Sequence, residues 1–306
     1  MTEKPILVTG AAGRIGGVGR LVTGLLLDRG LKVRAQVRVD DERAQHLRDI
    51  GAEVVVGDLR DLHATHRAID GCGTVCFGMS VAETYLEAAT NFAVVARHHK
   101  VDAFINLSQM TVKEMDIHHS TASPQQRQHW LFEQVLEWSG MPVVEMRPTA
   151  FMESLFLMAA GSTAATGKLM APFGAGKNSA IAAQDVARAI AAVAADPGPH
   201  IGRTYHLTGP VSQDMHAIAA GFSAALGRTI EYANVPLEAW KGQLVAMGLA
   251  PHALSHVETM ARLHQDDRYD RYSADVELLT GTKPMTVETF IRKHAAMFVP
   301  RVTPGA

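Results

Sequence analysis

Apolar and polar positions fall into alternating blocks along the first half of the chain. Short, mostly apolar runs at 5–9, 32–38, 53–57, 74–78, 102–108 and 142–147 predict strands. The amphipathic stretches between them, 18–29, 41–50, 61–69, 82–99 and 126–139, predict helices. Runs such as Glu53-Val54-Val55-Val56 and Ala103-Phe104-Ile105-Asn106-Leu107 suit a parallel sheet buried on both faces. Such alternation predicts an α/β fold, a Rossmann-type doubly wound parallel sheet. Gly30, Gly51 and Gly140 each follow a helical stretch, where a left-handed residue closes the last turn.

After Pro148 the pattern changes. Phe151 to Ala160 reads as an apolar helix rich in Met and Phe, followed by small residues and Pro172-Phe173-Gly174. Gln184 to Ala195 predicts a helix that returns to the sheet. From Ser212 onward helices dominate, interrupted by a strand-like piece at Thr229 to Val235. The expected division is one domain of residues 1–150 plus about 180–210, carrying the sheet. A smaller, mostly helical substrate or partner domain is expected from about 151–179 plus 211–306.

The first strand leads into Thr9-Gly10-Ala11-Ala12-Gly13-Arg14-Ile15-Gly16-Gly17-Val18-Gly19, and a helix follows at once. Glycine lets the backbone approach a pyrophosphate, while the first helical N–H groups and the helix dipole receive its charge. Glycine turns are common, but a strand before and a helix and second strand after make this one a dinucleotide fingerprint. An acidic residue at the end of the second strand marks an NAD site, and an arginine marks an NADP site. That strand ends in Arg38, and Arg14 lies in the loop, so NADP(H) is preferred and NAD(H) stays open. Asp40 and Asp41 come too late for the ribose and are placed to cap the next helix.

A net charge of −2 over 306 residues offers no surface for nucleic acid or an anionic membrane. No apolar run is long enough to span a bilayer. A strand starting by residue five leaves no signal peptide expected, so a cytoplasmic location is expected. Cys72 and Cys76 fall in or beside a strand, where packing in a reducing compartment is their expected role. Among the fifteen histidines, His98-His99 and His118-His119 are adjacent pairs. His252 and His256 could share a helix face but lack a third ligand, and no metal is expected.

With these residues in view, the chain resembles the NmrA-like branch of the short-chain dehydrogenase/reductase superfamily over nearly its whole length. The likeness rests on the glycine loop, Val33-Arg34-Ala35-Gln36-Val37-Arg38, Gly57-Asp58-Leu59, Asn106-Leu107-Ser108 and His129-Trp130-Leu131-Phe132-Glu133. It extends through Ser139-Gly140, Met146-Arg147-Pro148, Phe151-Met152-Glu153, Asp185-Val186-Ala187, Leu207-Thr208-Gly209-Pro210 and Leu279-Thr280-Gly281-Thr282-Lys283-Pro284 with Phe290. The resemblance implies NADPH or NADH binding, in a family that includes quinone reductases, triphenylmethane-dye reductases and redox sensors that bind regulators.

By that resemblance Gly10, Gly13 and Gly16, with Arg14 and Ile15, line the pyrophosphate, and Arg38 takes the 2′-phosphate. Asp58 and Leu59 flank the adenine, while Phe77, Gly78 and Met79 lie under the riboses. Ser108 joins the cofactor-binding set, and His129 falls near the nicotinamide ribose, in an orienting role. The spacing to Gly30 fits Gly19 better than Gly16, so the loop carries about three extra residues and either glycine could face the phosphate.

The wider superfamily's Tyr-x-x-x-Lys acid is missing, because none of Tyr85, Tyr205, Tyr232, Tyr269 and Tyr272 has a lysine four residues on. The expected reaction is therefore hydride transfer to a quinone-like or conjugated aromatic acceptor, which needs little proton assistance. Met110, Phe151, Met152, Phe156 and Phe173 are expected to line a pocket for a small hydrophobic or aromatic electron acceptor, although for any one of them core between the two domains is the favoured reading. The alternative is a non-catalytic redox sensor with a regulatory protein partner; a homodimer is also open. His129 lies four residues before Glu133, a spacing that allows a pair on the helix surface.

Overall fold

Seven parallel strands in the order β3-β2-β1-β4-β5-β6-β8 form the centre of the computed structural model, which describes residues 4–13 and 17–299. The strands are β1 (Ile6–Val8), β2 (Val33–Val37), β3 (Glu53–Val56), β4 (Thr74–Phe77), β5 (Ala103–Leu107), β6 (Val143–Pro148) and, after β7 (Lys168–Ala171), β8 (Thr204–Leu207). The chain winds outward from β1 to β3, then crosses to β4 on the other side of β1. This reversal opens a crevice at the carboxyl ends of β1 and β4, where such sheets bind ligands.

Helices cover both faces. Helices α1 (Val18–Leu27) and, after β7, α7 (Ala183–Ala195) pack one face around Val8, Leu26, Ile105, Met146, Val186 and Ile190. Alanines of α7 let it lie close to α1, and Arg29 of the adjoining turn donates to the Ala191 carbonyl at 3.0 Å. Helices α3 (Leu62–Ile69), α4 (Tyr85–His99) and α5 (Pro124–Ser139) cover the other face over Leu7, Val75 and an aromatic cluster. Phe77 sits at the centre of that cluster, 5.1 Å from Phe92 and 5.5 Å from Phe132 between ring centroids. Helix α2 (Glu42–Asp49) packs near the β2–β3 edge.

A third cluster, with Met152, Phe156, Leu169, Phe222, Phe290 and Phe298, lies among later elements. These are α6 (Ala160–Thr166), β7, α8 (Met215–Leu226), β9 (Glu231–Asn234), α9 (Leu237–Ala246), α10 (Pro251–Gln265) and, after α11 (Asp275–Thr280), which packs with α7 instead, α12 (Val287–Lys293). Strands β7 and β9 pair in parallel as a separate two-stranded sheet.

The first five strand-helix units match the sequence pattern to within a few residues, and Gly30, Gly51 and Gly140 all have positive φ. Three expectations need correction. The Glu53–Val56 run is not buried on both faces: β3 is an edge strand, and Glu53 and Val56 are exposed. The helix expected over Phe151 to Ala160 starts one residue in, since Phe151 bridges to Ile181, and it is π-helical over Glu153–Leu157 before α6. Strands β7 and β8, at Lys168–Ala171 and Thr204–Leu207, were not expected. No helix among the described residues is long and apolar enough to cross a membrane.

Candidate functional site

The glycine loop is built from contacts that leave no room for side chains. Gly10 has φ +65°, and a Cβ there would lie 2.9 Å from the Gly78 carbonyl oxygen. Thr9 sews the two strand ends together: its hydroxyl donates to the Gly78 carbonyl at 2.9 Å and accepts from the Gly78 N–H at 2.8 Å. Gly13 N–H donates back to the Gly10 carbonyl at 3.0 Å. Gly17 caps α1 without a side chain, so no described side chain occupies the first helical N–H groups, which suit an anion. A Cβ on Gly19 would meet the Thr9 carbonyl oxygen at 2.4 Å. Gly19 therefore holds the position of close helix–strand packing, in agreement with its spacing to Gly30. Arg14, Ile15 and Gly16 lie outside the described residues.

At the far end of β2, Arg38 is exposed beside the Asp58 carboxylate. Asp58 is clamped by Arg60, whose Nη2 donates at 2.8 Å. Hydrogen bonds from Arg60, with the Arg38 charge adding, hold its pKa down at about 2. Asp41 caps α2 as expected, accepting from Arg43 N–H at 3.0 Å, whereas Asp40 instead pairs with Arg48. Arg43 is a residue the sequence reading missed. Its guanidinium is held by Asp41 and donates to the Ala12 carbonyl at 2.8 Å, so it forms a second cationic wall between the glycine loop and the β2–α2 turn. Its place in the first turn after the second strand was the available signal.

Along the crevice, Gly78 and Met79 are partly exposed and Leu59 packs partly against the aromatic cluster. Phe77 differs from expectation: its side chain is fully buried in that cluster, because β4 is a central strand, so only its backbone faces the crevice end.

At the carboxyl end of β5, Ser108 is buried and its hydroxyl donates to Glu133 at 2.5 Å. Arg147 of β6 engages both oxygens of the same carboxylate, through Nε at 3.0 Å and through Nη2. Glu133 therefore does not form the surface pair with His129, since the guanidinium reaching across from β6 is the stronger partner. Behind it, Asn106 donates to Glu145 at 2.8 Å, and burial together with the Glu133 charge pushes the Glu145 carboxyl well up.

His129 is buried, not on the helix surface. Its ring lies 4.2 Å from that of Tyr85 between centroids, and its Nε2 is 3.2 Å from Gln125 Nε2. Gln125 Oε1 already accepts from Ala82 N–H at 3.0 Å and from His252 Nε2 at 2.9 Å. The Gln125 amide nitrogen must then donate to His129 Nε2, which puts the His129 proton on Nδ1. Nδ1 has no partner among the described residues. Burial, with the His256 charge adding, lowers the His129 pKa to about 3, so the ring is a neutral hydrogen-bond donor. Gln125 and His129 have the i, i+4 spacing of the missing tyrosine–lysine pair, a signal that sequence reading passed over. His252 and His256 do share a face of α10, but as hydrogen-bonding partners of α5: His256 Nδ1 lies 3.0 Å from the Ser123 hydroxyl.

The expected acceptor pocket is only partly assembled. Met110 borders a cavity of about 460 Å³, and Phe151 is half-buried. Met152 and Phe156 are fully buried core, and Phe173 stacks on His264 at 4.2 Å. Their apolar side chains are used in joining the later helices, which removes them from any cavity wall. The glycine approaches and the α1 N-terminus, which no described side chain caps, fit a dinucleotide pyrophosphate, and His129 Nδ1 is left buried without a partner among the described residues.

Known proteins match this chain along nearly its whole length. Residues 2–291 match the model of the NmrA-like family. The chain is 30% identical to the NAD(P)H azoreductase of Xenophilus azovorans, covering 96% of this chain and 99% of that protein. It is also 30% identical to the (4-alkanoyl-5-oxo-2,5-dihydrofuran-3-yl)methyl phosphate reductase of Streptomyces griseus, covering 96% of this chain and 99% of that one. The fold superposes on the NADPH-dependent quinone oxidoreductase of Escherichia coli solved with NADPH, with TM-score 0.83 at 21% identity, covering 95% and 99% of the two chains.

Proposed function

This chain belongs to the NmrA-like family, and from that premise we propose that it is an NADP(H)-dependent oxidoreductase that reduces a quinone-like or conjugated aromatic acceptor. When bound, the reduced nicotinamide supplies the hydride. Gly10, Gly13 and the α1 N-terminus hold the pyrophosphate, while Arg38 and Arg43 receive the 2′-phosphate. His129 Nδ1–H holds a ribose hydroxyl and so fixes the ring's position.

One observation carries the choice of acceptor. The helix position that would present a proton donor holds Gln125 and a neutral His129, neither of which is an acid near neutral pH. The acceptor must then delocalise the electron pair it receives, with the proton taken from water afterwards. Quinones and azo compounds have that property, in keeping with the azoreductase and quinone oxidoreductase among the similar proteins.

The test is cofactor oxidation by purified protein against quinones, azo dyes and conjugated enones, with NADPH and NADH in parallel. Turnover of a quinone or azo dye, faster with NADPH, is expected. Tight NADPH binding with no turnover of any acceptor would replace the enzyme by a sensor of the cofactor's redox state.

A further inference from the structure

The cavity beside Met110 is otherwise lined by residues that the cofactor site does not use. Its roof is the 3₁₀ turn Met110–Glu114, which leaves the carboxyl end of β5 two residues after Ser108. Its floor is the outer part of β8 with His206 and Thr208, and its wall is the segment carrying Arg271, Ser273 and Asp275. At about 460 Å³ it is large enough for a small organic molecule.

The charges around it are unbalanced. Arg268 and Arg271 both pair with the one carboxylate of Glu114. Asp275 turns an oxygen to the His206 backbone N–H at 2.6 Å. Lys113 is exposed at the rim and has no carboxylate partner among the described residues. Two cations, Lys113 and Arg271, thus line the cavity with one carboxylate, Asp275, and Arg271 is already paired with Glu114. Burial lowers the His206 pKa, with the charges of Lys113 and Arg147 adding to it and those of Asp275 and Glu133 opposing it. Ser273 Oγ accepts from Asp275 N–H at 3.1 Å, which leaves its hydroxyl hydrogen free to donate.

We propose that this cavity binds an oxyanionic substituent of the acceptor, a phosphate, sulfonate or carboxylate, with Lys113 and Ser273 as its donors. The anion is not a phosphate of the cofactor. Arg38 and Arg43 stand by β2, and β8 is five strands further across the sheet, about 24 Å at the usual strand spacing. The cavity instead lies beside the β5 end, which places the charged group at the edge of the acceptor site. This proposal rests on the reductase reading above and names the substrate class for it.

The experiment compares 1,2-naphthoquinone with its 4-sulfonate as acceptors, at constant ionic strength, for wild type, Lys113→Glu and Lys168→Glu. Lys168, exposed on β7, controls for net charge alone. The ratio of kcat/KM for the sulfonate over the parent quinone is expected to fall by about tenfold or more in Lys113→Glu only, through KM. Inorganic phosphate is expected to compete with the sulfonate. An unchanged ratio overturns the proposal. Phosphate acting equally on both acceptors also overturns it, since the site would then take a free anion. If no acceptor is reduced at all, the reductase reading fails instead, and calorimetric titration of phosphate decides the site separately. Binding by wild type but not by Lys113→Glu supports an anion site, and equal or no binding in both removes it.

Discussion

His129 has its chemistry set by its surroundings. An exposed histidine is half-charged near pH 6.5, whereas this ring, enclosed by Tyr85, Gln125 and the first turn of α5, stays neutral down to about pH 3. A neutral donor orients a ribose but does not protonate a product. His129→Gln is therefore expected to keep most of the NADPH affinity. His129→Ala removes the donor from a buried site, and a loss of about 1–3 kcal/mol would raise Kd by roughly five- to 150-fold. Fluorescence titration of NADPH checks both variants. A kcat pH profile with an inflection near 6.5 that disappears in either variant would make His129 a proton donor and overturn the orienting role.

The junction of β1 with α1 shows how an element is positioned by what a residue lacks. A Cβ on Gly19 would sit 2.4 Å from the Thr9 carbonyl oxygen and 2.7 Å from Gly10 C, both backbone atoms that no rotamer change can move. Gly19→Ala must push the start of α1 off the sheet and open the pyrophosphate cradle. A destabilisation of about 1–3 kcal/mol is expected, with NADPH affinity lost beyond that. Gly24 lies on the same helix with nothing within 4 Å of its Cβ position, and Gly24→Ala is expected to stabilise by roughly 0.5–1 kcal/mol. Urea unfolding of the pair separates packing from helix propensity. Equal stabilities for the two variants would remove Gly19 from its packing role.

Across the whole molecule, buried histidines tie the later helices to the sheet layer. His252 and His256 of α10 engage Gln125 and Ser123 at the start of α5, and His264 stacks between Phe173 and Tyr269. Burial lowers His256 and His264 to about 4, and His129 to about 3. The unfolded chain, with histidines near 6.5, binds protons that the folded one excludes, so stability is full above pH 6.5 and falls as pH drops toward 4. For His256 alone the loss is on the order of 3 kcal/mol at pH 4. Glu145 and Glu153, raised mainly by burial, act in the opposite sense, but three histidines outnumber them. Melting temperature is expected to fall steadily from pH 6.5 to 5, and less steeply in His256→Gln. A flat profile over that range would contradict the buried, neutral assignment.

The features legible in the chain alone are local ones. Strand and helix periodicity, the glycine loop, the Asp41 cap and Arg38 at a strand end each depend on residues close in sequence, and their physics acts over one or two turns. Long, continuous runs such as β5 announce themselves in the same way. The four-residue strands β7 and β8 do not, because their strand character comes from pairing with β9 and β6 rather than from their own pattern. The edge position of β3 was hidden for the same reason: Val54 and Val55 read as core until the strand order leaves β3 paired with β2 on one side only. Glu133 looked like a partner for His129 at helical spacing, yet Arg147 from another strand claims it. The state of His129, the α5–α10 contact and the cation-rich cavity all bring together residues tens to more than a hundred positions apart. Burial and charge pairing at such separations exist only once the chain has folded, and so they were decided there.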